Sequence, residues 1–104
     1  VRKTLAIQTE KRKVLLPVDE ILFVESMKEY VRIHTLSKAY ITKVGISKLE
    51  EELGSGFLRV HRSFLVAINR IHAYDAAELE IGGKLIPIGR NYKDNVVSLL
   101  AARG

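Results

Sequence analysis

The sequence predicts a mostly β domain of short antiparallel strands with one or two small helices. Apolar residues alternate with polar ones over short runs along most of the chain, the pattern of half-buried strands. Turn-forming clusters separate these runs at regular spacing, as in a meander. Only two segments carry apolar residues at the three- and four-residue spacing of a helix face.

The first strand is read from Leu5 and Ile7 alternating with Thr4, Ala6 and Gln8. Glu10-Lys11-Arg12-Lys13 is a charged turn, Val14-Leu15-Leu16 a return strand, and Pro17 its stop. Val18-Asp19-Glu20 reads as a turn or a single helical turn. Ile21-Leu22-Phe23-Val24 is continuously apolar, which predicts a strand covered on both faces. Glu25 to Glu29 reads as a polar hinge, followed by strands over Tyr30–Thr35 and Ala39–Thr42 about the turn Leu36-Ser37-Lys38.

Ser47-Lys48-Leu49-Glu50 fits a capping box, with Ile46, Leu49 and Leu53 on one helical face and Gly54 and Gly56 closing the helix. The acidic run Glu50-Glu51-Glu52 reads as a solvated face turned away from any anionic partner. Further on, Arg70–Asp75 and Ala77–Ile81 read as strands. Gly82-Gly83 is a two-residue hairpin turn, because Gly tolerates the positive φ such turns need. Lys84–Ile88 is the return strand, with Pro87 marking an edge or a strand end. Asn91 is the expected N-cap of a last helix carrying Tyr92, Val96, Val97, Leu99 and Leu100.

Phe57 to Asn69 is the organising stretch. Leu58 and Val60 alternate with Arg59 and His61, and Phe64, Val66 and Ile68 form a second alternating set. Between them His61-Arg62-Ser63 gathers donors without an apolar residue, a mount for an anion or else an ordinary basic surface turn. Two more loops carry a cation at a strand end: Lys28 in Ser26-Met27-Lys28-Glu29, and Arg90 in Gly89-Arg90-Asn91. The fork of donors on Arg suits guanine edges and phosphate, and Ser and Asn beside it suit phosphate oxygens. Arg90 also precedes a helix start, where backbone N–H groups and the helix dipole favour an anion.

Composition narrows the partners. One domain is expected from 104 residues, and 47% apolar residues exclude a disordered tail. Seventeen Lys and Arg against twelve Asp and Glu give a net charge of +5, which favours polyanions. With no cysteine there is neither a disulfide framework nor a thiolate metal site. No run has the length of a membrane span or a signal-peptide core, so a cytoplasmic chain without a membrane is expected. The chain opens on Val1 without an initiator Met, and a fragment of a longer protein is expected.

Catalysis and metal binding find little support in the sequence. His34, His61 and His72 fall in separate strands without paired ligand spacing, so no metal is expected. His61 and Ser63 with Asp75 lack the glycines of a nucleophile elbow, and no phosphate-cradling glycine loop opens a helix. No catalytic residue and no cofactor are expected. A protein-interaction or membrane-tethered module using the same basic face, and a small hydrolase, are the readings from other classes.

Taken together, four segments resemble the LytTR family, the DNA-binding output domain of many bacterial two-component response regulators. They are Pro17 to Ser26, Tyr30 to Thr35, Phe57 to Val66, and Ile86-Pro87-Ile88-Gly89-Arg90-Asn91-Tyr92, in the family's order and across almost the whole chain. The resemblance implies an elongated domain of short antiparallel sheets that binds direct repeats in promoters. It implies loops, rather than a recognition helix, in the major grooves of double-stranded DNA. By position, Arg62 and Arg90 fall where the family reads bases. Lys28 is the third such position, with Glu29 and Tyr30 as its alternatives. Ser26, Tyr30, Arg32, His61, Ser63, Asn91 and Lys93 are then expected against phosphates. The resemblance also implies a receiver or other sensory domain on the N-terminal side in the full protein, and a monomer for the isolated domain.

Overall fold

Ten strands and two helices, joined by turns and short 3-10 segments, make up the chain in a computed structural model that describes residues 3–103. Val1, on which the expectation of a longer protein rests, lies outside the described residues, as do Arg2 and Gly104. The strands are β1 (Thr4–Gln8), β2 (Lys13–Pro17), β3 (Ile21–Met27), β4 (Tyr30–Thr35), β5 (Ala39–Thr42), β6 (Phe57–His61), β7 (Phe64–Ala67), β8 (Ile71–Tyr74), β9 (Glu78–Ile81) and β10 (Lys84–Pro87). The helices are α1 (Ile46–Leu53) and α2 (Lys93–Arg103).

All pairings are antiparallel, in three sheets: β1-β2, β5-β4-β3-β7-β6 and β10-β9-β8. The domain measures 40 × 32 × 24 Å along its principal axes, less elongated than the resemblance implied.

The five-stranded sheet is apolar on both faces, and each face has its own core. Ile21, Val24, Val31, Ile33 and Leu65 meet Leu5, Ile7 and Leu16 of the first hairpin and Ile46, Leu49 and Leu53 of α1. Phe23, Leu58, Val60 and Val66 meet Leu79, Ile81 and Ile86 of the three-stranded sheet and Val96 and Leu100 of α2. Adjacent residues therefore serve opposite layers: Phe23 and Val24 in β3, Leu65 and Val66 in β7. This bears out the reading of β3 from its continuous apolar run. It corrects the simple alternation of Phe64, Val66 and Ile68, because Leu65 is fully buried and Phe64 only partly so.

Three local expectations are corrected. α1 begins at Ile46 with Gly45 as N-cap, and no side chain caps it, so Ser47-Lys48-Leu49-Glu50 does not act as a capping box. Glu25 and Ser26 continue β3 as far as Met27, since their backbone pairs with Arg32 and Val31, and the polar hinge shrinks to Lys28-Glu29. Asn91 lies inside a 3-10 turn, Arg90–Tyr92, that follows Gly89 and leads into α2, rather than at an N-cap. The Gly82-Gly83 turn stands as read, with φ of 58° and 78°.

Polar groups inside the fold are matched. Thr42 Oγ1 donates to the Gln8 carbonyl at 2.7 Å, fixing the first hairpin to the end of β5. Thr35 Oγ1 donates to the Lys38 carbonyl at 2.6 Å and closes the β4–β5 turn. His34 stacks on Phe23 with ring centroids 4.2 Å apart, and its Nε2 lies 3.4 Å from Glu25 Oε1. Burial holds the His34 pKa below its ordinary 6.5; the bond to Glu25 works in the opposite direction, and nearby Lys84 adds to the lowering.

This gives a pH prediction. The unfolded chain binds a proton at His34 more readily than the folded one, so protonation favours unfolding. The contribution is fully present above pH 6.5 and falls away as pH drops below it toward the lowered native value. Chemical denaturation between pH 7.5 and pH 5.5 is expected to show stability falling with pH, by less in His34→Phe, which keeps the stack without the titration. Equal pH slopes in the two proteins would remove His34 as the cause.

Candidate nucleic-acid interface

The three cationic loops meet at one end of the five-stranded sheet. β3 and β7 are neighbours, and their ladder continues past the last paired residues through the Ser26 N–H, which donates to the Ser63 carbonyl at 2.8 Å. The Lys28-Glu29 turn of β3–β4 and the Arg62-Ser63 turn of β6–β7 therefore sit side by side. The two hairpins lie two strand spacings apart, roughly 10 Å. The Gly89-Arg90 loop is tied to the other side of β6, where the Gly89 N–H donates to the Val60 carbonyl at 2.7 Å.

That last bond depends on a β-bulge. In the β6–β7 pairing Arg59 faces Leu65 and His61 faces Phe64, leaving Val60 as the extra residue. A bulge takes a residue out of the regular ladder, and the Val60 carbonyl is used by the third loop. Gly89 is favoured by close approach rather than by φ, which is −68°. A Cβ there would stand 3.1 Å from the Tyr92 ring and 3.5 Å from His61 Cα.

The side chains at this end divide into free and engaged. Lys28, Arg62, Arg90, Asn91 and Lys93 are exposed, and Tyr30 is 44% exposed. Among the described residues, no side-chain hydrogen bond or ion pair engages Lys28, Arg62 or Arg90. Lys28 also has φ of 60°, the one positive value at a described non-glycine residue. That conformation costs an L-residue about 1–2 kcal/mol, and such strain collects at functional sites. Arg32 is shared with Glu25, its partner across the ladder, at 3.8 Å.

His61 is partly structural: its Nδ1 accepts the Ser63 N–H at 3.0 Å, and its ring meets Phe64 edge-on. A neutral imidazole accepting at Nδ1 carries its proton on Nε2, which remains a donor. Ser26 and Ser63 are half-buried, with their backbones joined. Asp75 Oδ1 accepts the Ala77 and Glu78 N–H groups, which lowers its pKa, and holds the β8–β9 turn. His34, His61 and His72 lie apart on β4, β6 and β8, and no three metal-ligating side chains cluster among the described residues. No helix there is long and apolar enough to cross a membrane.

Two features escaped the sequence reading. Glu10-Lys11-Arg12, read only as a charged turn, is carried to this same end by the Thr42–Gln8 bond, beside Lys43, which pairs with Glu29 at 3.9 Å. Arg59 and Glu50, read as an ordinary strand residue and a solvated acid, are bonded to each other and to the 61–63 turn. Arg59 Nη1 donates to Glu50 Oε1 at 2.9 Å, Nε to the His61 carbonyl at 2.9 Å, and Nη2 to the Arg62 carbonyl at 2.5 Å. The alternation placed Arg59 on a polar face, but only the hairpin register and the packing of α1 show what it reaches.

The LytTr DNA-binding domain profile matches residues 11–101. The chain is 30% identical to the sensory transduction protein LytT of Bacillus cereus, over 92% of this chain and 42% of that protein. It is 33% identical to the CO-responsive transcriptional regulator RcoM of Rhodospirillum rubrum, over 78% of this chain and 38% of that one. It is 31% identical to the positive alginate biosynthesis regulatory protein of Pseudomonas aeruginosa, over 67% of this chain and 28% of that one. The chain thus spans well under half the length of these relatives. A solved LytTr DNA-binding domain of a putative methyl-accepting/DNA response regulator from Bacillus cereus shares the fold. It superposes with a TM-score of 0.82 at 20% identity, covering 96% of this chain and 98% of that one. With the profile running from the tip of the first hairpin almost to the end of α2, this chain belongs to the LytTR DNA-binding domain family.

Proposed function

We propose that the chain is the sequence-specific output domain of a bacterial two-component response regulator, acting in the cytoplasm on promoter DNA. It binds direct repeats by inserting loops, not a helix, into the major groove, and it performs no catalysis. The observation that carries this reading is the convergence of Lys28, Arg62 and Arg90 on one end of a rigid sheet, with their loops joined by backbone hydrogen bonds. The names of the relatives, a sensory transduction protein and a transcriptional regulator, support it. In the full protein a receiver or other sensory domain supplies the signal.

Arg62 and Arg90 read base edges, and Lys28 reads them from the β3–β4 turn. Phosphates are held by Ser26, Tyr30, Arg32, His61, Ser63, Asn91 and Lys93, with His61 donating from Nε2. Lys11, Arg12 and Lys43 join them on the flank in this reading, a role supported by the Thr42–Gln8 bond that holds the first hairpin against the end of β5. The isolated chain is a monomer in this reading, since its exposed apolar side chains Leu15, Leu36, Ile41 and Leu85 are dispersed over separate elements.

Arg62→Ala and Arg90→Ala are each expected to cost about 1–3 kcal/mol on the preferred repeat and much less on scrambled duplex. The unaltered domain is expected to lose affinity with salt at a log–log slope of about −3 to −6, near −0.9 per phosphate neutralised. Binding titrations on both duplexes across a salt series measure this. Equal losses on both would demote the arginines to phosphate contacts, and salt-independent binding would favour a protein-interaction module.

Lys28→Gly separates stability from binding. Removing the Cβ relieves the positive φ and is expected to stabilise the fold by about 1 kcal/mol. Loss of the ammonium is expected to weaken binding to the preferred repeat. Thermal unfolding beside binding titration checks both, and a variant that binds as well as the parent would take Lys28 out of the interface.

A further inference from the structure

We infer that Arg59 is the positioning residue that fixes the geometry of the 61–63 turn, braced by Glu50 of α1, and so sets how Arg62 is presented. The inference rests on the proposed reading of Arg62 as a base contact. Two-residue hairpin turns normally take backbone forms with at least one positive φ, whose twist matches the strands they join. The Arg62-Ser63 turn joins His61 to Phe64 directly, yet neither turn residue has a positive φ. It also follows a bulge at Val60, which increases local twist. Such a turn needs support from outside its own backbone.

The support is specific. Arg59 donates to two successive turn carbonyls, on either side of the Arg62 Cα: that of His61 through Nε and that of Arg62 through Nη2. Its remaining nitrogen, Nη1, is held by Glu50 Oε1. The planar guanidinium thus joins two turn carbonyls to a carboxylate on a packed helix, which a lysine ammonium does not span in this geometry. Its side chain is 15% exposed and Glu50 is 44% exposed, so this is not a solvated surface pair. From the other side, Ser63 N–H is taken by His61 Nδ1 and Ser63 C=O by Ser26 N–H. The turn's backbone is bonded on both flanks, while the Arg62 side chain is left free. α1 contributes to recognition without touching DNA, through one carboxylate.

The test uses this 104-residue chain and a duplex carrying the repeat it selects from a randomised library, with a scrambled duplex beside it. Arg59→Lys keeps the charge and removes the fork; Glu50→Gln keeps the shape and removes the charge at a more exposed position. Arg59→Lys is expected to lower the ratio of preferred to scrambled affinity about tenfold, within what one base contact supplies. Scrambled-duplex affinity and the salt slope are expected to stay unchanged, and amide exchange at Arg62 and Ser63 to quicken. Glu50→Gln is expected to move the same readouts in the same direction by less. Unchanged discrimination with unchanged exchange in both variants would overturn the inference, as would equal loss on both duplexes. Arg62→Ala is the control. If it leaves discrimination intact, the reading of the interface fails, and Arg59's hold on the turn is then decided by amide exchange. If it abolishes discrimination while Arg59→Lys does not, the positioning role alone fails.

Discussion

A sheet that is apolar on both faces must be covered on both. β3 and β7 alternate their side chains between two separate cores, so neither the first hairpin with α1 nor the three-stranded sheet with α2 is dispensable. Full burial of a residue such as Leu65 is worth about 1.5–3 kcal/mol, and it has a fully buried neighbour, Val66, on the opposite face. Register is therefore tightly set: a one-residue slip of β7 would exchange the two cores. That register places the β3–β4 and β6–β7 turns at the same end.

The end proposed to face DNA consists of irregularities on this rigid frame. The β6 bulge hands the Val60 carbonyl to Gly89, Lys28 adopts a costly φ, and the Arg62-Ser63 turn is held by Arg59 rather than by its own backbone preference. Each departure stands where the buried sheet overdetermines the backbone around it. Free cations on braced loops retain side-chain adaptability while the backbone beneath them stays fixed. Bringing Lys28, Arg62, Arg90 and the Lys11-Arg12 tip together raises local positive potential, which is tolerable when a polyanion is the partner.

Much of the fold was legible because strand signals and turn residues coincided. Ile21 to Val24 announced a doubly covered strand, Gly82-Gly83 its hairpin, and Ile46, Leu49 and Leu53 a helix face. Ser47 misled because a capping box is a local pattern, and here Gly45 starts the helix two residues earlier than Ser47 would allow. The triad Lys28, Arg62 and Arg90 could be named from loop chemistry and family resemblance. Their adjacency could not, since it follows from β3 pairing with β7 across a long sequence gap. Glu50 was illegible for the same reason: its partner lies on another element, and an acid in an acidic run carries no sign of which member is braced.

The central claim is that loops at one sheet end, and not a helix, face the duplex. The absence of cysteine allows single-cysteine variants at Lys28, Arg62, Arg90, Glu51 and Leu85, each carrying a tethered DNA-cleaving group, to be mapped on the selected repeat. Cuts at separate positions from the first three sites, with none above background from Glu51 on α1 or Leu85 on β10, are the predicted result. Cutting from Glu51 or Leu85 with silence at Arg62 would contradict the account and turn another face of the domain toward DNA.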